Sequence, residues 1–142
     1  MPQNKFLKNK PGLLTGQART TVADIDTAST LLFSFKHFDP NQGQKFSEWE
    51  VDGLLSVMLD RFRAHCSTID FRQCFNARFK CYPNFPTASE FKHPRHVPPD
   101  ATWSAMHIQG EECVIGHMLK NVFYVVFLDR HHKFYPTELR NT

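Results

Sequence analysis

The spacing of apolar and polar positions changes several times along the chain, and each change marks a predicted element. Residues 1–28 have little hydrophobic periodicity and are mostly polar, basic or small, which predicts a flexible N-terminal arm. The apolar content rises at residues 30–36, where Phe33 and Phe35 fall on one face of a predicted strand. The turn-forming residues 39–43 indicate the end of this first strand.

The next segment has helical spacing and a recognisable start. Ser47 and Glu50 have the separation of a capping box, in which side chains and backbone groups at a helix start bond one another reciprocally. The residues on either side of this box have the positions of a hydrophobic staple. The pattern predicts one helix with a continuous apolar face, formed by Val51, Leu54, Leu55, Met58, Leu59 and Phe62.

A second, shorter helix is predicted directly after the first. Ser67 or Thr68 would cap this helix, and apolar or cysteine side chains recur at helical spacing as far as Phe79. Residues 82–100 then contain five prolines, which are incompatible with a regular helix or an inner strand. We therefore predict a helical hairpin followed by a Pro-rich loop at 82–100.

Three strands are predicted near the end of the chain, at residues 102–108, 112–119 and 122–128. The last of them is almost wholly apolar, which is typical of a strand covered on both faces and central in its sheet. A two-residue turn before it would place Asn121 in the left-handed conformation. The predicted fold class is α+β, with the helical hairpin packed on a mainly antiparallel sheet in the order β-α-α-β-β-β.

Length and composition limit the number of domains, the cellular location and the kinds of partner that we expect. The 142 residues fit one domain, so we expect a single unit at 29–142 behind the arm at 1–28. No segment approaches the roughly 18 consecutive apolar residues of a membrane span, and the polar, basic start does not have the features of a secretory signal. We therefore expect a cytoplasmic protein without a membrane partner. The net charge of +3 permits an anionic partner without requiring one.

The four cysteines leave two interpretations open. They include no CxxC pair, and a disulfide scaffold is not expected in a chain without a secretory signal. Buried free thiols are the favoured interpretation, and a zinc site shared with some of the eight histidines is the alternative. We expect no metal and no cofactor. The cysteines are Cys66, Cys74, Cys81 and Cys113.

The strongest candidate site directly follows the last predicted strand. The segment 129–135 reads Asp-Arg-His-His-Lys-Phe-Tyr. Imidazoles titrate near neutral pH and can transfer protons, and Arg or Lys beside them can bind phosphate. The segment is therefore either an acid–base and phosphate-binding site for RNA or another phosphodiester, or a polar turn in which Phe134 and Tyr135 close the core.

Other basic residues offer weaker candidates. His107 and His117 lie on adjacent predicted strands, where they could face each other. Lys36 ends the first strand and could approach the segment 129–135. The Pro-rich loop carries a basic stretch at 92–96 that would suit a polyanion. Solvated surface positions explain each of these features equally well.

The element order β-α-α-β-β-β resembles that of the RelE/ParE toxin superfamily of small bacterial proteins. In its ribonuclease branch, a final strand ends in basic and aromatic residues that cut messenger RNA. The resemblance implies a metal-independent endoribonuclease that acts on RNA, at the ribosome, and is held inactive by an antitoxin protein. The resemblance implies that Arg130 and Lys133 stabilise charge on the phosphate. It also implies that His132 or Tyr135 is the acid or base, with His131 beside them.

The chain departs from this family by its arm and its Pro-rich loop, and by having His117 and Lys120 where the penultimate strand commonly carries an Arg. It also resembles a set of short uncharacterised bacterial proteins through Gly116-His117, Phe123-Tyr124, Leu128-Asp129, His132 and Tyr135. In that pattern Asp129 could orient the imidazole of His132, or it could equally form a structural Asp turn with a packed Tyr135.

These observations lead to one predicted site and to two predicted classes of function. The first class is the endoribonuclease, and the alternative is a non-enzymatic binding or regulatory module of the phage, defence or toxin–antitoxin type. For the endoribonuclease, the predicted catalytic residues are Asp129, Arg130, His132 and Tyr135, and the predicted substrate-binding residues are Lys36, His117, His131 and Lys133.

Overall fold

Two α-helices and a five-stranded mixed sheet form an α+β fold, as predicted. The computed structural model describes Thr21 and residues 29–136, and the rest of the predicted arm at 1–28 lies outside the described residues. No helix in this described part is both long enough and apolar enough to cross a membrane. The elements are β1 (Leu32–Ser34), α1 (Phe46–Val51), α2 (Leu54–Cys66), a 3-10 helix (Phe71–Cys74), β2 (Phe79–Tyr82), β3 (Thr102–Gln109), β4 (Glu112–Leu119) and β5 (Val122–Asp129).

The sheet has the strand order β1-β5-β4-β3-β2 and is mainly antiparallel. Only β1 pairs in parallel, with Leu32 opposite Val122 and Ser34 opposite Tyr124 of β5. β5 therefore lies inside the sheet between β1 and β4, and residues 125–129 are all buried. The interior position predicted for this apolar strand is confirmed.

The first predicted helix is divided into two helices at Gly53. This residue has a φ of 76°, a left-handed conformation that glycine adopts without steric cost, and it separates α1 from α2. α1 also begins earlier than predicted: Lys45 is its N-cap, and the Lys45 backbone N–H donates to the Glu48 carboxylate at 2.7 Å. The capping box and the staple predicted around Ser47 are therefore wrong.

The second predicted helix is wrong as well. Residues 71–74 form a short 3-10 helix, and Phe79–Tyr82 is the edge strand β2, which pairs antiparallel with β3. Side chains of the 3-10 helix and of β2, such as Cys74 and Phe79, enter the same hydrophobic cluster. Their combined spacing along the sequence therefore resembles the apolar face of one helix. The two helices that precede the antiparallel strands are α1 and α2, and β2 is an additional strand.

The sheet is covered on both faces by different parts of the chain. α1 and α2 cover one face, while residues 83–101, which contain no helix or strand, cover the other. The cluster on the helical face includes Trp49, Met58, Phe62, Met106, Phe123 and Leu128. The cluster on the loop-covered face includes Phe85, Phe91, Val97, Trp103, Phe127 and Phe134.

A β-bulge in β5 decides which face its last residues occupy. The pairing with β4 shifts opposite Gly116, so that Val126 is an extra residue in β5. A Cβ atom on Gly116 would lie 2.0 Å from the carbonyl oxygen of Tyr124, so only glycine fits at this position. After the bulge, Phe127 belongs to the loop-covered face, and Asp129 two residues later falls on the same face.

The turn between β4 and β5 differs from its prediction in one residue. Lys120, and not Asn121, has a positive φ, of 56°. The Asn121 side chain instead donates from Nδ2 to the carbonyl oxygen of Thr30 at 2.7 Å. This bond connects the residue before β1 to the turn between β4 and β5, next to the point where β1 begins to pair with β5.

Candidate functional site

Three polar side chains lie side by side across three neighbouring strands, on the face that the Pro-rich loop covers. His107 of β3 is paired with Cys113 of β4, and Cys113 is paired with Asp129 of β5. His132 joins them from the turn after β5: its Nε2 atom lies 3.3 Å from Nε2 of His107, and the two rings stack with centroids 5.2 Å apart. The sheet thus brings together residues from four separate parts of the chain.

The Asp129 carboxylate fixes the turn that carries His132. Its two oxygens accept hydrogen bonds from the backbone N–H groups of Lys133, at 2.9 Å, and Phe134, at 2.8 Å. His132 has a φ of 59° within this turn, a conformation that costs a non-glycine residue roughly 1–2 kcal/mol. The buried Phe134 side chain anchors the far end. Together these contacts hold His132 over the sheet.

A cavity of about 420 Å³ opens beside this group. Its volume lies within the range of small-molecule sites, roughly 300–1,000 Å³. The phenol rings of Tyr82 and Tyr135 lie beside each other, with centroids 4.9 Å apart. The polar residues that line the cavity are Lys80, Tyr82, His107, Cys113, Asp129, His132 and Tyr135.

Burial sets the protonation of the groups at the floor of this cavity. Burial lowers the pKa of His107, and the nearby cations Arg78 and Lys80 and the imidazole of His132 lower it further. Burial also raises the pKa of Cys113, assisted mainly by the Asp129 carboxyl group. The pKa of Asp129 is raised by burial, which backbone N–H donors oppose in part. At neutral pH the site therefore contains a neutral imidazole and a protonated thiol.

Five of the eight predicted site residues lie around this cavity or the one next to it. Asp129, His132 and Tyr135 line the first cavity. His131 and Lys133 line a neighbouring cavity of about 470 Å³, which also includes His132. The Lys133 ammonium group lies 3.6 Å from the Glu90 carboxylate, an exposed ion pair between the turn and the Pro-rich loop.

The other three predicted residues lie elsewhere. The Arg130 guanidinium forms an ion pair with Asp52 at the end of α1, and its backbone N–H donates to Gln44 Oε1 at 2.7 Å. Lys36 is exposed in the segment after β1. His117 lies on the loop-covered side but in a separate group of histidines.

That second group is a stack of aromatic rings around the buried His117. The His117 side chain is 4% exposed, and its Nε2 lies 2.9 Å from Nδ1 of His37. Both rings stack on Tyr124, and Nε2 of His96 lies 2.7 Å from the carbonyl oxygen of His37. Burial, followed by the neighbouring imidazoles, lowers the pKa of His117 to about 4. The predicted contact between His117 and the histidine of β3 is therefore wrong, because each has a different imidazole partner.

Sequence reasoning missed two residues of the cavity and did not assign two others to it. Lys80 and Tyr82 were hidden because β2 was interpreted as part of a helix, although their spacing of two residues fits a strand that projects both to one face. His107 was a weaker candidate that was expected to face His117, and Cys113 was considered only as a free thiol or a possible zinc ligand. The strands predicted at 102–108 and 112–119 form a hairpin in which His107 and Cys113 lie opposite each other. The hairpin register was the signal that could have found them.

The four cysteines, all within the described residues, are free thiols. Comparison with models of protein families gave no match for this chain, and neither curated proteins nor solved structures gave one.

Proposed function

We propose that the protein is a metal-independent, RelE-like endoribonuclease of the cytoplasm that cleaves messenger RNA in the cavity beside His132. The observation that carries this proposal is the pair of imidazoles, His107 and His132, in contact at the floor of a cavity that also has an ammonium group and a phenol. Histidine pairs of this kind can accept and return a proton near neutral pH. The predicted order of elements supports the same class.

The chain's own groups provide a complete set of proton transfers for RNA cleavage. The His132 imidazole takes the proton of the ribose 2′-hydroxyl, whose oxygen attacks phosphorus and forms a 2′,3′-cyclic phosphate. The bond from phosphorus to the 5′-oxygen breaks, and the Tyr135 phenol gives its proton to that oxygen. The proton held by the histidine pair then returns to Tyr135 through solvent. His107 orients His132 and shares its proton across the 3.3 Å contact.

Charge on the phosphate is stabilised by cations that can reach the cavity. Lys80 lines the cavity, and Lys133 lies at the neighbouring one. Arg130 is paired with Asp52 beside the helices. In this proposal Lys80 therefore has the role that the family resemblance gives to Arg130, and Lys133 keeps its supporting role.

The activity is tested with purified protein in the presence of EDTA and single-stranded RNA. We expect cleavage of RNA, and no cleavage of the same sequence carrying 2′-O-methyl groups, because the attacking hydroxyl is then blocked. His132→Gln and Tyr135→Phe should each lower the rate by roughly 100-fold or more, the usual contribution of a general acid or base. Arg130→Gln is the matched control from the same segment, because its guanidinium is paired with Asp52 away from the cavity, and it should cleave RNA at close to the normal rate.

Expression in bacteria provides a second measurement. The wild-type chain should arrest growth and cut ribosome-bound message, and the double variant H132Q/Y135F should do neither. An antitoxin that relieves the arrest would have to cover the cavity. If the wild-type protein binds RNA or a protein partner but leaves every RNA intact, the enzymatic proposal is wrong and a binding module is the better description.

A further inference from the structure

Three atoms that can bind a metal ion converge at the floor of the cavity. They are one ring nitrogen of His107, Sγ of Cys113 and one ring nitrogen of His132, and they lie within 4.8 Å of one another. The two Nε2 atoms are 3.3 Å apart. In a tetrahedral zinc site with Zn–N bonds of about 2.0–2.1 Å, two nitrogen ligands are separated by about 3.3–3.4 Å. The separation of the imidazole nitrogens thus matches one edge of a zinc tetrahedron.

The chemistry of the three ligands selects the same ion. One thiolate and two neutral imidazoles form a mixed sulfur and nitrogen set, which suits zinc better than magnesium or calcium, whose ligands are oxygens. A fully formed site would bring the sulfur to about 3.6 Å from each nitrogen, and since the atoms now lie within 4.8 Å of one another, each separation shortens by at most about 1.2 Å.

The fold holds these ligands in place before any ion binds. His107 and Cys113 are paired residues of adjacent strands, so their separation is fixed by the sheet. The turn that carries His132 is fixed by the Asp129 carboxylate and by the buried Phe134. Cys113 is 1% exposed, whereas the histidines lie at the cavity, which gives an ion access from one side. Preorganised ligands of this kind reduce the entropic cost of binding.

We propose that His107, Cys113 and His132 form a zinc site with three protein ligands. Binding of Zn²⁺ displaces the proton of the Cys113 thiol, which leaves as H⁺, and forms the Zn–S bond in its place. Three ligands leave a fourth coordination position for water or a small anion from the cavity, as in zinc sites that remain open. This site is separate from the free-thiol cysteines Cys66, Cys74 and Cys81.

Zinc binding has a regulatory consequence for the cavity. The ion occupies the Nε2 lone pairs of both histidines, which are the atoms that accept a proton during RNA cleavage. Zinc therefore inhibits the ribonuclease, and removal of the metal activates it. Only this consequence depends on the proposed function, since the metal site itself is derived from the geometry of its ligands.

The experiment uses the full chain after treatment with EDTA and removal of the chelator. Titration with Zn²⁺, followed by calorimetry and elemental analysis, should give one zinc ion per chain with release of a proton. Titration with Co²⁺ should give the visible absorption of a tetrahedral ion and a charge-transfer band from the thiolate. A simple hydrogen bond between the two imidazoles would give neither signal.

Matched variants distinguish this site from adventitious binding. Cys113→Ser and His132→Gln should weaken zinc binding by more than the roughly 10–100-fold that loss of an outer partner costs, and Cys113→Ser should also remove the charge-transfer band. Cys81→Ser and His131→Gln change a neighbouring thiol and a neighbouring imidazole and should bind zinc normally. Circular dichroism checks that each variant is folded. If Cys113→Ser does not fold, His132→Gln alone tests whether the zinc site exists. We expect His132→Gln to fold, because His132 lies in a turn at the surface of the cavity.

The proposal is overturned if the wild-type chain binds no stoichiometric zinc, or if His132→Gln binds zinc as tightly as the wild type does. Zinc binding with no RNA cleavage in EDTA would support the metal site and contradict the proposed function. If the chain cleaves RNA in EDTA but binds no zinc, and added zinc does not change the rate, the proposed function is supported and the metal site is contradicted.

Discussion

Asp129 is the residue on which the geometry of the site depends most directly. Its carboxylate accepts two backbone hydrogen bonds in a buried position, and those bonds hold the left-handed His132 above the sheet. The sequence identified Asp129 as a possible partner of the His132 imidazole. In the structure Asp129 forms the alternative, a structural Asp turn, since its carboxylate accepts hydrogen bonds from the backbone N–H groups of Lys133 and Phe134.

Replacing Asp129 should therefore affect stability as well as the site. Asp129→Ala leaves the buried N–H of Phe134 and the part-buried N–H of Lys133 without this acceptor, and we expect the free energy of unfolding to fall by about 3 kcal/mol. Asp129→Asn retains one carbonyl oxygen and should lose about half as much. Urea denaturation measures both values, with the exposed Asp60→Asn as a control that should change stability by less than about 0.5 kcal/mol. Equal losses for the alanine and asparagine variants would contradict this account of the turn.

At the scale of the elements, the sequence predicted each strand that contains a continuous run of mostly apolar residues. The strands at 102–108, 112–119 and 122–128 were predictable because their hydrophobic content and turns are local signals. β2 was not predictable in the same way. Its four residues follow a 3-10 helix whose side chains enter the same cluster, and the combined spacing imitates one helix. The cavity residues Lys80 and Tyr82 were missed for that reason alone.

Two glycines illustrate how the elements are delimited, and they do so by different physical means. Gly53 has a left-handed φ of 76° but open space where a Cβ atom would lie, whereas a Cβ atom on Gly116 would collide with the backbone of Tyr124 in β5. Gly53→Ala should cost about 1–2 kcal/mol for the left-handed conformation, and Gly53→Asn should cost less because asparagine tolerates that region. Gly116→Ala should cost more than about 2 kcal/mol, because a Cβ atom displaces the strand.

Adding Gly116→Asn to these three variants gives alanine and asparagine at both positions. Thermal or urea unfolding of the four variants then distinguishes the requirement for a left-handed φ from the requirement for space. Asparagine should improve on alanine at position 53 and should not improve on it at position 116. If asparagine also improved on alanine at position 116, the close approach of β5 to Gly116 would not be the reason for the glycine there.

At the scale of the whole molecule, the sheet is covered by helices on one face and by the Pro-rich loop on the other. The sequence predicted the loop from its prolines, but the role of the loop in the core was not predictable. Phe85, Phe91 and Val97 follow one another at intervals of six residues, but the prolines between and beside them exclude a regular helix or inner strand, so this spacing does not predict a shared face. The site depends on this arrangement, because the loop-covered face is the one on which Asp129 lies after the β-bulge.

The histidines under the loop should make the stability of the whole fold depend on pH. His117 is buried with a pKa of about 4, against an ordinary value of 6.5, and it faces His37, His93 and His96. The unfolded chain therefore binds a proton at a pH where the folded chain does not. Stability is unaffected by this group above about pH 6.5 and decreases as the pH falls from 6.5 towards 4. At about 1.4 kcal/mol per pKa unit, the total loss is about 3 kcal/mol.

His117→Phe keeps an aromatic ring in the stack and removes its titration, so its free energy of unfolding should decrease less steeply between pH 6.5 and 4 than that of the wild type. His131→Gln, which changes an exposed imidazole, should retain the wild-type slope. Urea denaturation across this pH range gives both slopes. A residual slope in His117→Phe is expected, because burial also lowers the pKa values of His37, His65 and His107. Identical slopes for the wild type and His117→Phe would mean that protons enter the folded protein without disturbing the stack, and that the loop does not keep this imidazole neutral.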